Sequence, residues 1–194
     1  MTAPRRGRPR DAEADAAILR AFFEVVAEHG YAGASMDAIA ERAGVAKTTI
    51  YRRWPSRDAL MLAAHARLLQ DNPPPDTGTL RGDLLEVARI LIENLARPPL
   101  SRVAAATIGE MAHNDDLARL FRAAVAEERI RMLSGIFERA AARGEVPPGQ
   151  DWPLLAQMLV GPVMFRVVVT GEPVTRAVGE ALVDAVLLAA HARG

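Results

Sequence analysis

No cysteine occurs among the 194 residues, which excludes disulfides, thiol nucleophiles and iron–sulfur clusters, and with them a secreted fold that depends on staples. The four histidines are scattered and suggest no metal site. Equally missing are a Gly-x-Ser-x-Gly elbow, a phosphate-binding glycine loop after a strand and a His-Glu-x-x-His pair. The chain therefore offers no motif for an enzyme and needs no cofactor. Its formal net charge is zero, so the whole molecule is not drawn to polyanions. The amino-terminal MTAPRRGRPRDAEAD has no apolar segment behind its arginines, which argues against a secretory signal and for a cytoplasmic location. The most apolar stretch, Leu154 to Val169, is interrupted by Gln157, Gly161-Pro162 and Arg166. It is shorter than the roughly 20 residues that cross a bilayer, and is expected to be a buried helix with no membrane partner.

Hydrophobic residues make up 50% of the chain and charged residues 25%, the balance of a globular protein with a real core. From Asp11 to Glu28 apolar residues recur at Ala14, Ala17, Ile18, Ala21, Phe22, Val25 and Val26, a three-and-four repeat that predicts an amphipathic helix ended by His29-Gly30. Ser35 is a favoured N-cap for a short helix over 36–43, Gly44 breaks it, and a third helix is expected from Ala46 to Trp54 before Pro55. Ser56 caps the next, which runs to about Gln70 and the Asn72-Pro73-Pro74-Pro75 loop. Further helical periodicity covers 80–96, 101–113, 115–143, 152–170 and 174–193, with only Val167-Val168-Val169 locally strand-like. The expected fold is all-α.

Within this pattern, residues 36–53 read as helix, Gly-containing turn, helix, with Ile39, Ala40, Ala43, Val45 and Ile50 able to meet inside. That is helix-turn-helix spacing. On the second helix Lys47, Thr48, Tyr51 and Arg52 share one face opposite Ile50. Hydroxyls and Tyr can bond phosphates, and Lys and Arg can also reach guanine acceptors in a major groove. Charges alone fit a solvated surface helix as well, and a helical adaptor that never touches DNA would explain an apolar, two-sided last helix but leave the turn helix and the arginine-rich amino terminus without a role.

Charge distribution favours the first reading. Arg5, Arg6, Arg8 and Arg10 fall in the first ten residues with no acid among them, forming a local cationic arm. Arg6-Gly7-Arg8-Pro9-Arg10 resembles the core of an AT-hook, in which an extended Arg-Pro segment lies in a narrow A·T-rich minor groove. A basic tail that only adds salt-sensitive phosphate attraction is the alternative.

The segments Ala34-Ser35-Met36-Asp37-Ala38-Ile39-Ala40, Ala43 to Trp54 (AGVAKTTIYRRW) and Pro55-Ser56-Arg57-Asp58-Ala59-Leu60 resemble the signature of the TetR family of bacterial transcriptional regulators. The match covers residues 11–62. It implies that Lys47, Thr48, Thr49, Tyr51 and Arg52 contact double-stranded operator DNA, with Ser35 capping toward a phosphate and Arg57 reaching one from the fourth helix. Arg53 stands where the family often has His, and Trp54 where it often has Phe. The resemblance also implies a homodimer joined by the last two helices, usually a repressor, that releases a palindromic operator when a small-molecule effector binds. On this reading residues 1–10 are a flexible basic arm, 11–56 the DNA-binding domain, and 57–194 a ligand-binding and dimerisation domain.

The last helix supports a dimer independently. Val178, Leu182, Val183, Ala185, Val186, Leu187, Leu188 and Ala189 cover too much of its circumference for one buried stripe. Candidate ligand contacts are the bulky or polarizable Met61, His65, Met111, Phe121, Phe137 and Trp152, with Met158 and Phe165 beside them and His113 as a further polar group. Such residues at helical spacing also serve as ordinary core.

Overall fold

A computed structural model describes residues 8–96 and 98–191, and its regular elements are all helical. Four helices form a head: α1 (Arg8–Gly33), α2 (Met36–Ala43), α3 (Lys47–Arg53) and α4 (Arg57–Asp71). Six more form the body: α5 (Leu80–Ala96), α6 (Pro98–Met111), α7 (Asp115–Phe121), α8 (Glu127–Ala142), α9 (Trp152–Phe165) and α10 (Arg176–His191). A π-helical turn, Arg122–Ala126, joins α7 to α8 without a break, and a second, Arg166–Thr170, extends α9.

Local chemistry explains most boundaries. Ser35 Oγ accepts from the Ala38 amide and Ser56 Oγ from that of Ala59, each at 3.1 Å, satisfying donors that a helix start leaves open. Asn114 and Asp151 do the same for α7 and α9. Gly44 has φ 66°, and its amide and that of Val45 bond back into α2, a left-handed stop that a residue with a Cβ adopts only at a cost. Helical hydrogen bonding in α1 continues to Gly33, but Gly30, at φ 70° and ψ 171°, interrupts it, as the His29-Gly30 pair predicts.

One boundary corrects the sequence reading. Helix α1 begins at Arg8, not Asp11, because Pro9 suits a first helical turn, where its missing N–H is no loss. Arg8-Pro9-Arg10 is thus helical instead of extended, and an arm reaching residue 10 is too long. Arg5 and Arg6 lie outside the described residues, as do the side chains of Arg8 and Arg10.

Burial divides into two clusters. The first holds Ile18, Phe22, Val25 and Val26 of α1, Ile39 of α2, Ile50 of α3, and Leu60 and Met61 of α4, and reaches into the body through Val103 of α6 and Leu117 of α7. The second joins Leu80 and Leu84 of α5, Ile136 and Phe137 of α8, Leu155 and Leu159 of α9, and Val183 and Val186 of α10. Beside the second cluster, wholly buried Asp83 accepts from the Thr77 amide and hydroxyl, at 2.5 and 2.8 Å, and faces Arg139 and Arg143 at 3.9 Å. A carboxylate in the first turn also suits the helix dipole, so this cluster pins the start of α5 to the end of α8.

The 152–170 helix is a second correction. It is long and apolar enough to cross a membrane by length and composition, yet it is not the buried helix expected. The stripe Leu155, Ala156, Leu159 and Val163 is buried, while Leu154, Phe165 and Val169 remain exposed at 40%, 56% and 66%.

Candidate nucleic-acid interface and ligand cavity

Helix α3 carries the features expected of a reader. Ile50 is completely buried beneath it, while Lys47, Thr48, Tyr51 and Arg52 are exposed and Thr49 half-buried. Tyr51 keeps 45% of its surface in water although it is a large aromatic, and no packing role within the chain accounts for that. The Lys47 ammonium lies 5.8 Å from the Tyr51 ring centroid and pairs with Asp37 at 2.6 Å. That carboxylate holds Lys47 above the ordinary lysine pKa, against slight desolvation. Exposed pairs of this kind contribute little, so a phosphate can displace Asp37. Ser35 is exposed and already occupied as a cap.

Arg57 is placed differently from the role the resemblance implies. Its guanidinium donates to the carbonyls of Tyr31, Ala32 and Ala34 at 2.6, 3.1 and 3.4 Å and lies 4.2 Å from the Tyr31 ring centroid. The Tyr31 phenol in turn donates to Asp58, and burial followed by that carboxylate drives the phenol pKa upward. Instead of reaching outward from α4, Arg57 clasps the backbone that leads into α2. The start of α4 is thereby fixed to the helix-turn-helix unit.

The other end of α4 borders a cavity of about 500 Å³, within the range of small-molecule sites. Phe23 of α1, His65, Leu68 and Leu69 of α4, and residues of α5, α6, α8 and α9 wall it. It therefore spans both buried clusters. His65 and Phe121, two of the expected ligand contacts, are among the walls, and their rings meet edge to face at 5.2 Å. The other four are core: Met61 is fully buried in the head, Met111 packs against the same cluster, and Phe137 stacks on Trp152 at 5.8 Å within the second. Met158 also packs against the second cluster, and Phe165 and His113 are exposed. Residues that sequence reasoning missed include Phe23, Thr107 and Arg129. The signal for Arg129 was a cation placed four residues from both Val125 and Leu133 on an otherwise apolar stripe.

Burial depresses the His65 pKa below 6.5, opposed by its bond to the Met61 carbonyl and reinforced by Arg129. The folded protein thus binds that proton less readily than the unfolded chain. Stability is full above pH 6.5 and falls as pH drops through the depressed folded value. We expect His65→Gln to flatten the acid limb of a plot of melting temperature against pH. An unchanged limb would place the titration elsewhere.

A helical head that offers an exposed polar face on the second helix of a helix-turn-helix defines a DNA-binding protein. Residues 18–64 match the family described as bacterial regulatory proteins, tetR family, and residues 74–186 match the tetracyclin repressor-like C-terminal domain. The chain belongs to the TetR family of transcriptional regulators. It is 32% identical to an uncharacterized helix-turn-helix regulator of Mycobacterium bovis, over 96% of this chain and 90% of that one. It is 33% identical to the DNA-binding transcriptional repressor TetR of Mycobacteroides abscessus, over 94% of each. Among solved structures, the TetR family regulator SCO0332 superimposes with a TM-score of 0.74 at 32% identity, covering 90% of this chain and 97% of the other.

Proposed function

We propose that this regulator is a cytoplasmic repressor that binds a near-palindromic operator as a homodimer and leaves it when a small molecule fills the cavity. One observation carries the reading: α4 connects the two sites. Arg57 at its start holds the backbone entering the helix-turn-helix, while His65, Leu68 and Leu69 further along wall the cavity. A ligand that repositions those side chains moves α4, and α4 carries the reading heads with it. By linkage, operator DNA then lowers ligand affinity by the factor through which ligand lowers DNA affinity.

Exposed apolar surface supports the dimer. Leu154, Gly161, Phe165 and Val169 share one side of the α9 segment, and Ala181, Ala185 and Leu188 one side of α10. Leu188 is 74% exposed. Two such faces paired about a twofold axis would cover one another and present the α3 helices one DNA turn apart, roughly 34 Å. Lys47, Thr48, Thr49, Tyr51 and Arg52 then face the operator, with Ser35 at its backbone. Residues before α1 supply the cationic arm.

The test is selection of the purified protein on random duplexes near physiological salt, where screening suppresses nonspecific attraction. An inverted repeat should be enriched, and Tyr51→Ala should lose it. Arg52→Ala should cost about 1 to 3 kcal/mol at one base position if it reads an edge; a loss uniform over sequences would make it a phosphate contact. Binding without sequence preference that fades with salt would overturn the operator reading.

A further inference from the structure

Among the described residues that line the cavity Arg129 is the single charged one; the others are apolar or neutral, with no Asp, Glu or Lys. Its guanidinium makes neither a hydrogen bond nor an ion pair among the described residues, and burial lowers its pKa below the ordinary arginine value. Arginine stays protonated in proteins, so this is a half-buried positive charge at the cavity wall, partly desolvated and without a protein partner among the described residues. A partly desolvated charge gains from a partner of opposite sign, because desolvation penalises the charged form. A second orphan faces the same space: Thr107 is 2% exposed, and its hydroxyl has no partner. His65 donates through Nδ1 to the Met61 carbonyl, and its lowered pKa keeps it neutral, so it adds no charge.

We infer that the cavity takes an amphipathic acid, an apolar body ending in one carboxylate that docks on the Arg129 guanidinium, with the Thr107 hydroxyl as a further donor. Guanidinium and carboxylate are matched forks that form two parallel charge-assisted bonds. The charge count favours a monoanion: with one cation among the described walls, a dianionic phosphate would leave a net negative charge in the cavity. The walls supply the rest, since Phe23, Leu69, Val103, Phe121, Leu133 and Val160 can enclose an alkyl or aryl body. The role of this ligand as effector rests on the function proposed above. Its binding does not.

The test is calorimetric titration of the free protein, without DNA, with straight-chain acids from hexanoate to tetradecanoate, 2-naphthoate, and each one's neutral alcohol. Wild type should prefer at least one acid over its alcohol by roughly 10- to 100-fold, the range of a charged hydrogen-bonded pair. Arg129→Met, which keeps length and removes charge, should abolish that preference. It should also raise the melting temperature of the ligand-free protein, because an uncompensated charge has been replaced by an apolar group; a merely structural arginine would lower it. No acid binding at millimolar concentration, equal affinity for acid and alcohol, or an unchanged preference in Arg129→Met overturns the inference. Release of the selected operator is read separately. Acids that bind through Arg129 without releasing DNA support this site and sink the effector reading. Alcohols that release DNA from both proteins while acids fail to bind do the opposite.

Discussion

Leu188→Arg should yield a folded monomer that no longer holds its operator. Leu188 sits on the outer face of α10 with 74% of its surface in water, so in the single chain an arginine there meets solvent and, four residues away, Asp184. Helicity and the packing of Val183 and Val186 should persist, because those side chains point into the opposite, buried face. In the proposed dimer the same substitution would occur twice about the axis and put an unpaired guanidinium from each copy into an apolar seam. Breaking an interface core in this way costs several kcal/mol, a thousandfold or so in dimerisation. Operator affinity falls with it, since one half-site retains only a fraction of the phosphate and base contacts. Sedimentation should show a shift from dimer to monomer, and gel shifts should show loss of the specific complex with weak nonspecific binding retained. A variant that stays dimeric would move the interface away from α10.

The sequence was readable wherever a local rule decided the outcome. Ser35, Ser56 and Gly44 act through hydrogen bonds and backbone angles within a few residues of themselves, so the head helices fall where the caps place them. Ile50 beneath and Tyr51 above α3 follow from its period alone. The cavity was less legible. Met61, Phe137 and Trp152 are bulky residues at helical spacing, and that spacing fixes which side of a helix they occupy but not whether the neighbour is another helix or a void. Only the crossing of α4, α5, α6, α8 and α9 decides it. The exposed stripe of the 152–170 helix was missed for a related reason: an apolar residue left at the surface has the same signature in sequence as one buried in the core. Arg129 shows what remained available, since a charge on an apolar stripe is informative before any coordinates exist.

Ile50→Asp separates fold from contact at the DNA end. Ile50 is wholly buried, in one cluster with Phe22, Ile39, Leu60, Val103 and Leu117. An aspartate there loses the burial of a large side chain and takes a carboxylate out of water into an apolar cluster, a penalty of about 4 kcal/mol or more. That is a large share of the roughly 5 to 15 kcal/mol by which domains are stable, so the head should unfold or persist only as its protonated, low-pH form. The second cluster contains no head residue and should keep its own cooperative transition, leaving the proposed dimer intact. Calorimetry should show the lower transition shifted or lost and the upper one retained, and protease should cut between α1 and α4. Arg52→Ala also weakens operator binding but should leave both transitions in place, because Arg52 is exposed. Ligand titration supplies a third readout. Phe23 and His65 wall the cavity from the head side, so Ile50→Asp should weaken ligand binding as well, whereas Arg52→Ala should not. Intact ligand binding in Ile50→Asp would mean that α1 and α4 hold their places without the helix-turn-helix, and the mechanical link through α4 would fall.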